Sequence, residues 1–170
     1  MREHTCVLRR EIPGEKFLKV TSMNGKKISV LIVDPDPQEI TVRLKELSPN
    51  FVFHHASSGK FALEYLADQC VDCVVLELDL KDMSGFQILH RIVPSPAKPG
   101  IAVIVWTRLT HPSLLLIAKQ NGAQAALIKQ GTSPAILHDA VIRAITAIPS
   151  VTVPLPLHTC REIQSSQASN

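Results

Sequence analysis

The strongest constraint on the fold of this 170-residue chain is a repeated alternation of short apolar segments with longer amphipathic ones. Five apolar segments have the length and composition of β-strands, and each is followed by apolar residues at helical spacing. The predicted strands cover residues 28–33, 51–56, 74–76, 101–106 and 125–128. Alternation at this spacing predicts an α/β fold between residues 28 and 148, with a parallel sheet covered by helices on both faces.

Several residues mark the expected ends of the helices. Asp36 is placed to be the N-cap of the first helix, with Pro37 as its first residue and Glu39 completing a capping box. Gly122 stands where a C-terminal cap of the fourth helix belongs, and Pro149 ends the fifth. These signals predict five helices, one after each strand.

The two ends of the chain differ in composition from this central part. Residues 1–27 are polar and mixed, and we expect a flexible N-terminal extension. Residues 149–170 are rich in Ser, Thr, Pro and Gln, which predicts a disordered tail. The tripeptide His-Thr-Cys occurs at both ends, at 4–6 and at 158–160. We expect chance repetition, and the alternative is a zinc site, since zinc accepts two His and two Cys as ligands.

The overall composition excludes several classes of function. The chain is 45% hydrophobic and 19% charged with a net charge of +3, and Lys or Arg never occur in runs longer than two. A basic surface for nucleic acid is therefore not expected. No apolar stretch approaches the roughly 18 residues of a spanning helix, and the N-terminus lacks the apolar core of a signal peptide. We expect a cytoplasmic protein that binds neither nucleic acid nor membrane.

Polar and charged side chains follow the ends of the apolar segments. Asp34 follows the first predicted strand, Glu77 the third, Thr107 the fourth and Lys129 the fifth, while Asp79 lies two residues beyond Glu77. Parallel strands deliver their carboxyl ends to one edge of the sheet, which is where ligands bind in open α/β folds. This pattern indicates a site, against the alternative that the acids are solvated where the strands leave the core.

The order and spacing of these residues resemble the receiver domain of two-component response regulators. The matching segments are Val-Leu-Ile-Val-Asp at 30–34, Val-Asp-Cys-Val-Val-Leu-Glu-Leu at 71–78, Asp-Met-Ser-Gly-Phe at 82–86, Val-Trp-Thr at 105–107 and Gly-Ala-Gln-Ala-Ala-Leu-Ile-Lys at 122–129. The resemblance covers residues 28–148 and implies a flavodoxin-like, doubly wound fold with strand order 2-1-3-4-5 and five helices.

The resemblance also implies a function in phosphorelay signal transduction. Receivers accept a phosphoryl group from a histidine kinase on an Asp after the third strand, and here Glu77 stands at that phosphoacceptor position. The family's phosphoryl-binding and switch residues match Thr107 and Lys129. Its Mg²⁺ ligands correspond to Asp34, to Glu77 and to the backbone of Asp79. No catalytic residue is implied, and the chain is not expected to be an enzyme.

Two departures from the family pattern change what the site is expected to do. Pro35 falls where a second acid would ligate Mg²⁺, so we expect metal binding to be weak at best. Glu77 is one methylene longer than Asp and could form a standing ion pair with Lys129 in the space of a phosphoryl group. We therefore expect a pseudo-receiver that acts by protein–protein interaction, and the alternative is a phosphorylatable receiver that uses Glu77 or Asp79.

A nucleotide- or flavin-binding protein of the same fold is a further alternative. It is disfavoured because no Gly-rich loop follows the first strand, and the Asp-Pro-Asp-Pro sequence at 34–37 would repel phosphate.

Four consecutive apolar residues in the fourth helix point to a surface for partners. They are Leu114, Leu115, Leu116 and Ile117. A helix that packs on one side cannot bury all four against its own sheet, unless it is a short helix enclosed on all sides. In receivers this helix, the fifth strand and the fifth helix form the docking face. We expect a histidine kinase or an output protein to bind there, and homodimerisation through this face is a second expectation.

Overall fold

The computed structural model describes residues 27–148, which form one five-stranded parallel sheet with five helices. The strands are β1 (Ile28–Val33), β2 (Phe51–Ala56), β3 (Cys73–Leu76), β4 (Ala102–Thr107) and β5 (Ala125–Ile128). The helices are α1 (Gln38–Leu47), α2 (Gly59–Asp68), α3 (Gly85–Ile92), α4 (Pro112–Gln120) and α5 (Pro134–Ala147). The strand order is β2-β1-β3-β4-β5, so the predicted doubly wound α/β architecture is confirmed.

The core lies in two layers, one on each face of the sheet. Successive residues of a strand point to opposite faces, so Leu76 packs with α2 and α3, while Val75 packs with α1 and α5. All residues of β3 and β4 are buried, as expected for inner strands covered on both faces. This double-layer packing supports the residues that follow the strand ends.

The start of α1 differs from the prediction. Pro37, not Asp36, occupies the N-cap position, the helix begins at Gln38, and no side chain caps it. The backbone N–H of Asp36 instead donates to Oδ1 of Asp34 at 2.9 Å, which makes a tight turn after β1 and moves the helix start by one residue. The side chain of Glu39 lies outside the described residues. At α4 the predicted cap is confirmed, since Gly122 follows the helix with φ at +97°.

The loop between β3 and α3 is held from two directions. The carboxylate of Asp82 accepts the first backbone N–H groups of α2, from Gly59 at 2.9 Å and from Lys60 at 2.8 Å. Gly85 approaches the end of β3 so closely that a Cβ there would lie 2.4 Å from the carbonyl oxygen of Glu77. These contacts fix the backbone that follows Glu77.

Both His-Thr-Cys tripeptides lie outside the described residues, as do the predicted N-terminal extension, apart from Lys27, and the predicted C-terminal tail. Within residues 27–148, no helix combines the length and the apolar character needed to cross a membrane.

Candidate functional site

The carboxyl edge of the sheet brings together the polar residues predicted from the strand ends. Val33 of β1 pairs with Leu76 of β3, so the next residues, Asp34 and Glu77, lie on adjacent strands. The backbone pairing continues beyond the strands, because the N–H of Glu77 donates to the Val33 carbonyl at 2.9 Å. On the other side, the N–H of Lys129 donates to the Thr107 carbonyl at 2.8 Å. Local strand pairing therefore places all four residues together.

The Glu77 carboxylate is buried, with the residue only 1% exposed, and both of its oxygens accept hydrogen bonds. Oε1 accepts from the backbone N–H groups of Leu78 at 2.8 Å and Asp79 at 3.1 Å, and from the hydroxyl of Thr107. Oε2 accepts from the backbone N–H of Arg108 at 3.1 Å, and the Lys129 ammonium lies 2.6 Å from it. The hydrogen-bonding capacity of this buried carboxylate is fully used inside the protein.

Lys129 joins the two acids of the site. Its Nζ lies 2.5 Å from Oδ2 of Asp34 and 2.6 Å from Oε2 of Glu77. The same ammonium lies 4.8 Å from the ring centroid of Trp106, within range of a cation–π interaction. The Lys129 side chain is 16% exposed, so these contacts are poorly screened by water. The ion pair expected from the sequence between Glu77 and Lys129 is present.

Thr107 contributes its only hydroxyl proton to the same carboxylate. Its oxygen accepts in turn from the backbone N–H of Leu109 at 3.2 Å, and the residue has no exposed surface. Thr107 and Lys129, which the resemblance assigns to phosphoryl oxygens, are therefore both bound to the side chain of Glu77.

The acids predicted as metal ligands are only partly brought together. Asp34 is buried beside Lys129, whereas Asp79 is exposed and reaches the site through its backbone N–H. Among residues 27–148, no group of three or more His, Cys, Asp or Glu side chains is arranged to hold a metal ion. The donor set therefore fits Mg²⁺ poorly, because the two acids that meet are already bridged by an ammonium group.

Hydrogen bonds and charge set the ionisation of Glu77. Burial alone would raise its pKa, but the hydrogen bonds from Lys129, Thr107 and the Asp79 backbone, with the charge of Lys129, outweigh burial. The pKa of Glu77 therefore lies below its ordinary value. The carboxylate is ionised at neutral pH and forms a true ion pair with Lys129.

This shift predicts a pH-dependent contribution to stability. A carboxyl group whose pKa is lower in the folded state stabilises the fold fully above its unfolded pKa, about 4.3, and this contribution is lost as pH falls through the folded value. The Glu77→Gln variant lacks this titration. The difference in unfolding free energy between wild type and Glu77→Gln should therefore be largest at neutral pH and shrink on acidification.

Urea denaturation at a series of pH values from 7 downward measures this difference in unfolding free energy. Measurements are spaced by roughly half a pH unit between about pH 5 and pH 3. The matched control is Glu64→Gln, because Glu64 is exposed and pairs only with exposed Lys60 at 4.0 Å. Its curve should run nearly parallel to the wild-type curve. Parallel curves for Glu77→Gln as well would contradict the lowered pKa.

Two residues that sequence reasoning left without a role also belong to the site. Arg108 donates its backbone N–H to Glu77, and its Nε lies 3.7 Å from Oε2 while the side chain stays 57% exposed. Trp106 contacts the Lys129 ammonium, and its indole N–H is buried without a hydrogen-bond partner among the described residues. A basic residue directly after the Thr of the fourth strand was the available signal for Arg108.

A cleft of about 340 Å³ opens beside the ion pair. Two acids, two cations and several apolar side chains line it. Its lining residues are Asp34, Asp36, Ile40, Trp106, Arg108, Lys129, Thr132 and Pro134.

The four apolar residues of α4 divide between the core and the surface. Leu114 and Leu115 are half-buried, whereas Leu116 is 59% and Ile117 is 41% exposed. The predicted exposure of part of this run is confirmed, and the adjacent edge strand β5 is half-buried along its length.

Comparison with known proteins agrees with this fold. The family model for the response regulator receiver domain matches residues 30–141, which is more than half of the chain. The chain belongs to this family. Its receiver domain is therefore a module of two-component signalling. Receiver domains are generally not enzymes by themselves, and they interact with histidine kinases and output domains.

Curated relatives match the receiver domain over a small part of their own length. A probable cyclic di-GMP phosphodiesterase of Vibrio cholerae is 31% identical over 106 residues, covering 62% of this chain and 24% of that protein. A protein-glutamate methylesterase/protein-glutamine glutaminase of Pseudomonas syringae is 32% identical over 108 residues, covering 62% and 27%. The aligned part of the chain thus spans about a quarter of these relatives.

Solved receiver domains have the same fold. The signal receiver domain of the putative response regulator NarL from Mycobacterium tuberculosis superimposes with a TM-score of 0.61 at 26% identity, covering 72% of this chain and 98% of that one. A BeF3-activated DrrB receiver domain superimposes with a TM-score of 0.59 at 25% identity, covering 71% and 98%. The receiver domain is thus the part of the chain that these structures share.

Proposed function

We propose that this receiver domain is a signalling interaction module that works without aspartyl-type phosphorylation, because Glu77 holds it permanently in one conformation. The observation that carries the proposal is the buried Glu77 carboxylate, which takes the Thr107 hydroxyl and the Lys129 ammonium. In the family these two residues bind the phosphoryl group. Here they are satisfied by a side chain of the domain itself.

Access to the carboxylate supports the same conclusion. Glu77 has a side-chain exposure of 0%, and Lys129, Thr107 and the Arg108 backbone contact it from the neighbouring strand ends. An incoming phosphoryl donor would have to break the ion pair and at least one of these hydrogen bonds. In-line transfer depends on close placement of the reacting atoms, which this arrangement does not offer.

The partner surface of the module is proposed to be the face formed by α4, β5 and α5. Leu116 and Ile117 expose apolar side chains there, and apolar surface of this kind is characteristic of protein interaction sites. The partners proposed are a histidine kinase or an output protein, with a second copy of the chain as the alternative occupant. Since Glu77 holds the site in one state, binding at this face would not depend on a phosphoryl donor.

The competing function is a phosphorylatable receiver. The exposure of Asp79 is the observation that favours it. Its carboxyl group is exposed near the strand end, unlike that of Glu77. The arrangement around it is less suited, because only its backbone N–H contacts the site residues.

Incubation with acetyl phosphate and Mg²⁺, followed by measurement of the intact mass, separates these functions. The wild-type mass is expected to stay unchanged, because no carboxylate in the described part of the chain is both exposed and aligned with Thr107 and Lys129. A receiver domain with an Asp acceptor, treated in parallel, shows that the reagent is active.

A gain of one phosphoryl group that is lost in Glu77→Ala or in Asp79→Ala would overturn the proposal. Its loss in Glu77→Ala with retention in Asp79→Ala would assign the acceptor to Glu77, and the reverse pattern would assign it to Asp79. Retention in both variants would place the modification outside this site and leave the internal pairing of Glu77 as the state of the domain.

A further inference from the structure

We infer that the site carries its own cations and excludes Mg²⁺, with Lys129 in the position that a divalent ion would need between Asp34 and Glu77. The inference rests on the same ion pair as the proposed function, but it concerns metal binding rather than phosphoryl transfer. It also makes a prediction that phosphorylation does not: loss of Lys129 should create a metal site.

The distances around Lys129 carry the first step. Its Nζ lies 2.5 Å from Oδ2 of Asp34 and 2.6 Å from Oε2 of Glu77. An ion that bridged the same two oxygens at the Mg²⁺–oxygen distance of about 2.1 Å would compete for the space of the ammonium nitrogen. Metal and lysine therefore cannot both bridge these acids in the arrangement seen.

The remaining lone pairs of the acids are the second step. Oε1 of Glu77 already accepts three hydrogen bonds and Oε2 accepts from Arg108, while Oδ1 of Asp34 accepts from the Asp36 backbone. Mg²⁺ requires near-octahedral coordination by oxygen. In the described part of the chain no third acid joins these two in a metal-binding group. The site therefore offers Mg²⁺ too few free oxygen ligands, in addition to too little space.

The charge balance is the third step. Asp34 and Glu77 contribute two negative charges, and Lys129 and Arg108 contribute two positive charges, of which Lys129 is the close one and Arg108 the more distant at 3.7 Å. Both cations line the cleft beside the ion pair, together with Asp34 and Asp36. Because the charges of Asp34, Glu77, Lys129 and Arg108 sum to zero, these four side chains offer a divalent ion little net attraction.

Removal of Lys129 reverses the first and the third of these conditions, and it frees the positions that the ammonium occupies on Oδ2 of Asp34 and Oε2 of Glu77. The Lys129→Met substitution keeps an unbranched chain of similar length over the Trp106 ring but leaves two buried carboxylates side by side. Such a pair favours a divalent cation, because the ion replaces the missing charge and fills the vacated space. If Lys129 only stabilised the fold, Lys129→Met would be less stable but would not gain the ability to bind Mg²⁺.

Thermal unfolding of the full chain with and without MgCl2, at constant ionic strength set with NaCl, tests the inference. The wild-type Tm should not respond to Mg²⁺. The Tm of Lys129→Met should rise by about 5 °C when Mg²⁺ reaches roughly ten times its dissociation constant, because ligand binding to the folded state stabilises it. If Lys129→Met is unfolded without metal, recovery of its circular dichroism by Mg²⁺ gives the same answer.

The double variant Asp34→Asn/Lys129→Met is the matched control, since it lacks one of the two acids and should not respond to Mg²⁺. A Mg²⁺-dependent rise in the wild-type Tm would overturn the inference, as would a Lys129→Met variant that Mg²⁺ neither stabilises nor folds. Either result can occur while the wild-type mass stays unchanged with acetyl phosphate, so the metal inference and the proposed function can fail separately.

Discussion

In metal-free buffer at neutral pH, the Lys129→Met variant is expected to lose about 3–5 kcal/mol of unfolding free energy, because removing one partner leaves buried charges uncompensated. Lys129 serves two carboxylates at once, at 2.5 Å and 2.6 Å, and the Asp34 and Glu77 side chains are 2% and 0% exposed. The methionine keeps the packing of the aliphatic chain, so the loss reports the charge. Urea denaturation in the presence of EDTA measures it.

A surface lysine gives the matched control for this substitution. Lys119 lies exposed near the end of α4, and Lys119→Met should change the unfolding free energy by no more than about 0.5 kcal/mol. Adding Glu77→Gln to Lys129→Met should restore part of the lost stability, since it removes one of the unpaired charges. A Lys129→Met variant as stable as Lys119→Met would show that the ion pair contributes little to the fold.

Substitution of Gly85 by Ala is expected to be the most damaging small change in the loop that follows Glu77. The added Cβ would lie 2.4 Å from the carbonyl oxygen of Glu77 and 2.7 Å from Cα of Leu78. Both are backbone atoms of buried residues, so the clash can be relieved only by moving the end of β3. We expect the unfolding free energy to fall by at least about 1–3 kcal/mol, as at other overpacked sites. Urea or thermal denaturation measures this loss.

Gly59→Ala provides a control with a clash of the same length but a different neighbour. Its Cβ would lie 2.4 Å from Cγ and 2.7 Å from Sδ of Met83, which belong to a flexible side chain that can rotate away. Gly59→Ala should therefore be clearly less destabilising than Gly85→Ala. Equal losses would indicate that the backbone near Glu77 adapts as readily as a methionine side chain.

The fold followed from the sequence because its signals are local and repeated. Apolar runs such as 28–33 are too short for helices and lie between amphipathic segments, and this alternation restricts the chain to a parallel sheet with helices on both faces. The start of α1 escaped prediction because Asp34 and Asp36 can each bond a nearby backbone N–H. Their order in the sequence does not say which one does so.

The residues of the candidate site could be predicted from the sequence, but most of the hydrogen bonds that they form could not. Strand ends place Asp34, Glu77, Thr107 and Lys129 at one edge, as the sequence predicts. The role of Arg108 depends on the direction of its backbone N–H beyond β4, which no periodicity encodes. The exposure of Asp79 likewise depends on how the chain turns after β3, where the antiparallel bridge between Asp79 and Ser84 directs it away from the edge.

The position of Trp106 makes the ion pair optically visible. It is the only tryptophan in the chain, and the Lys129 ammonium lies 4.8 Å from its ring centroid. The fluorescence of an indole responds to a cation held against its ring, so the emission of the unlabelled protein responds to the position of the Lys129 ammonium at this edge. The domain thus contains its own spectroscopic reporter, one residue from the hydroxyl that binds Glu77.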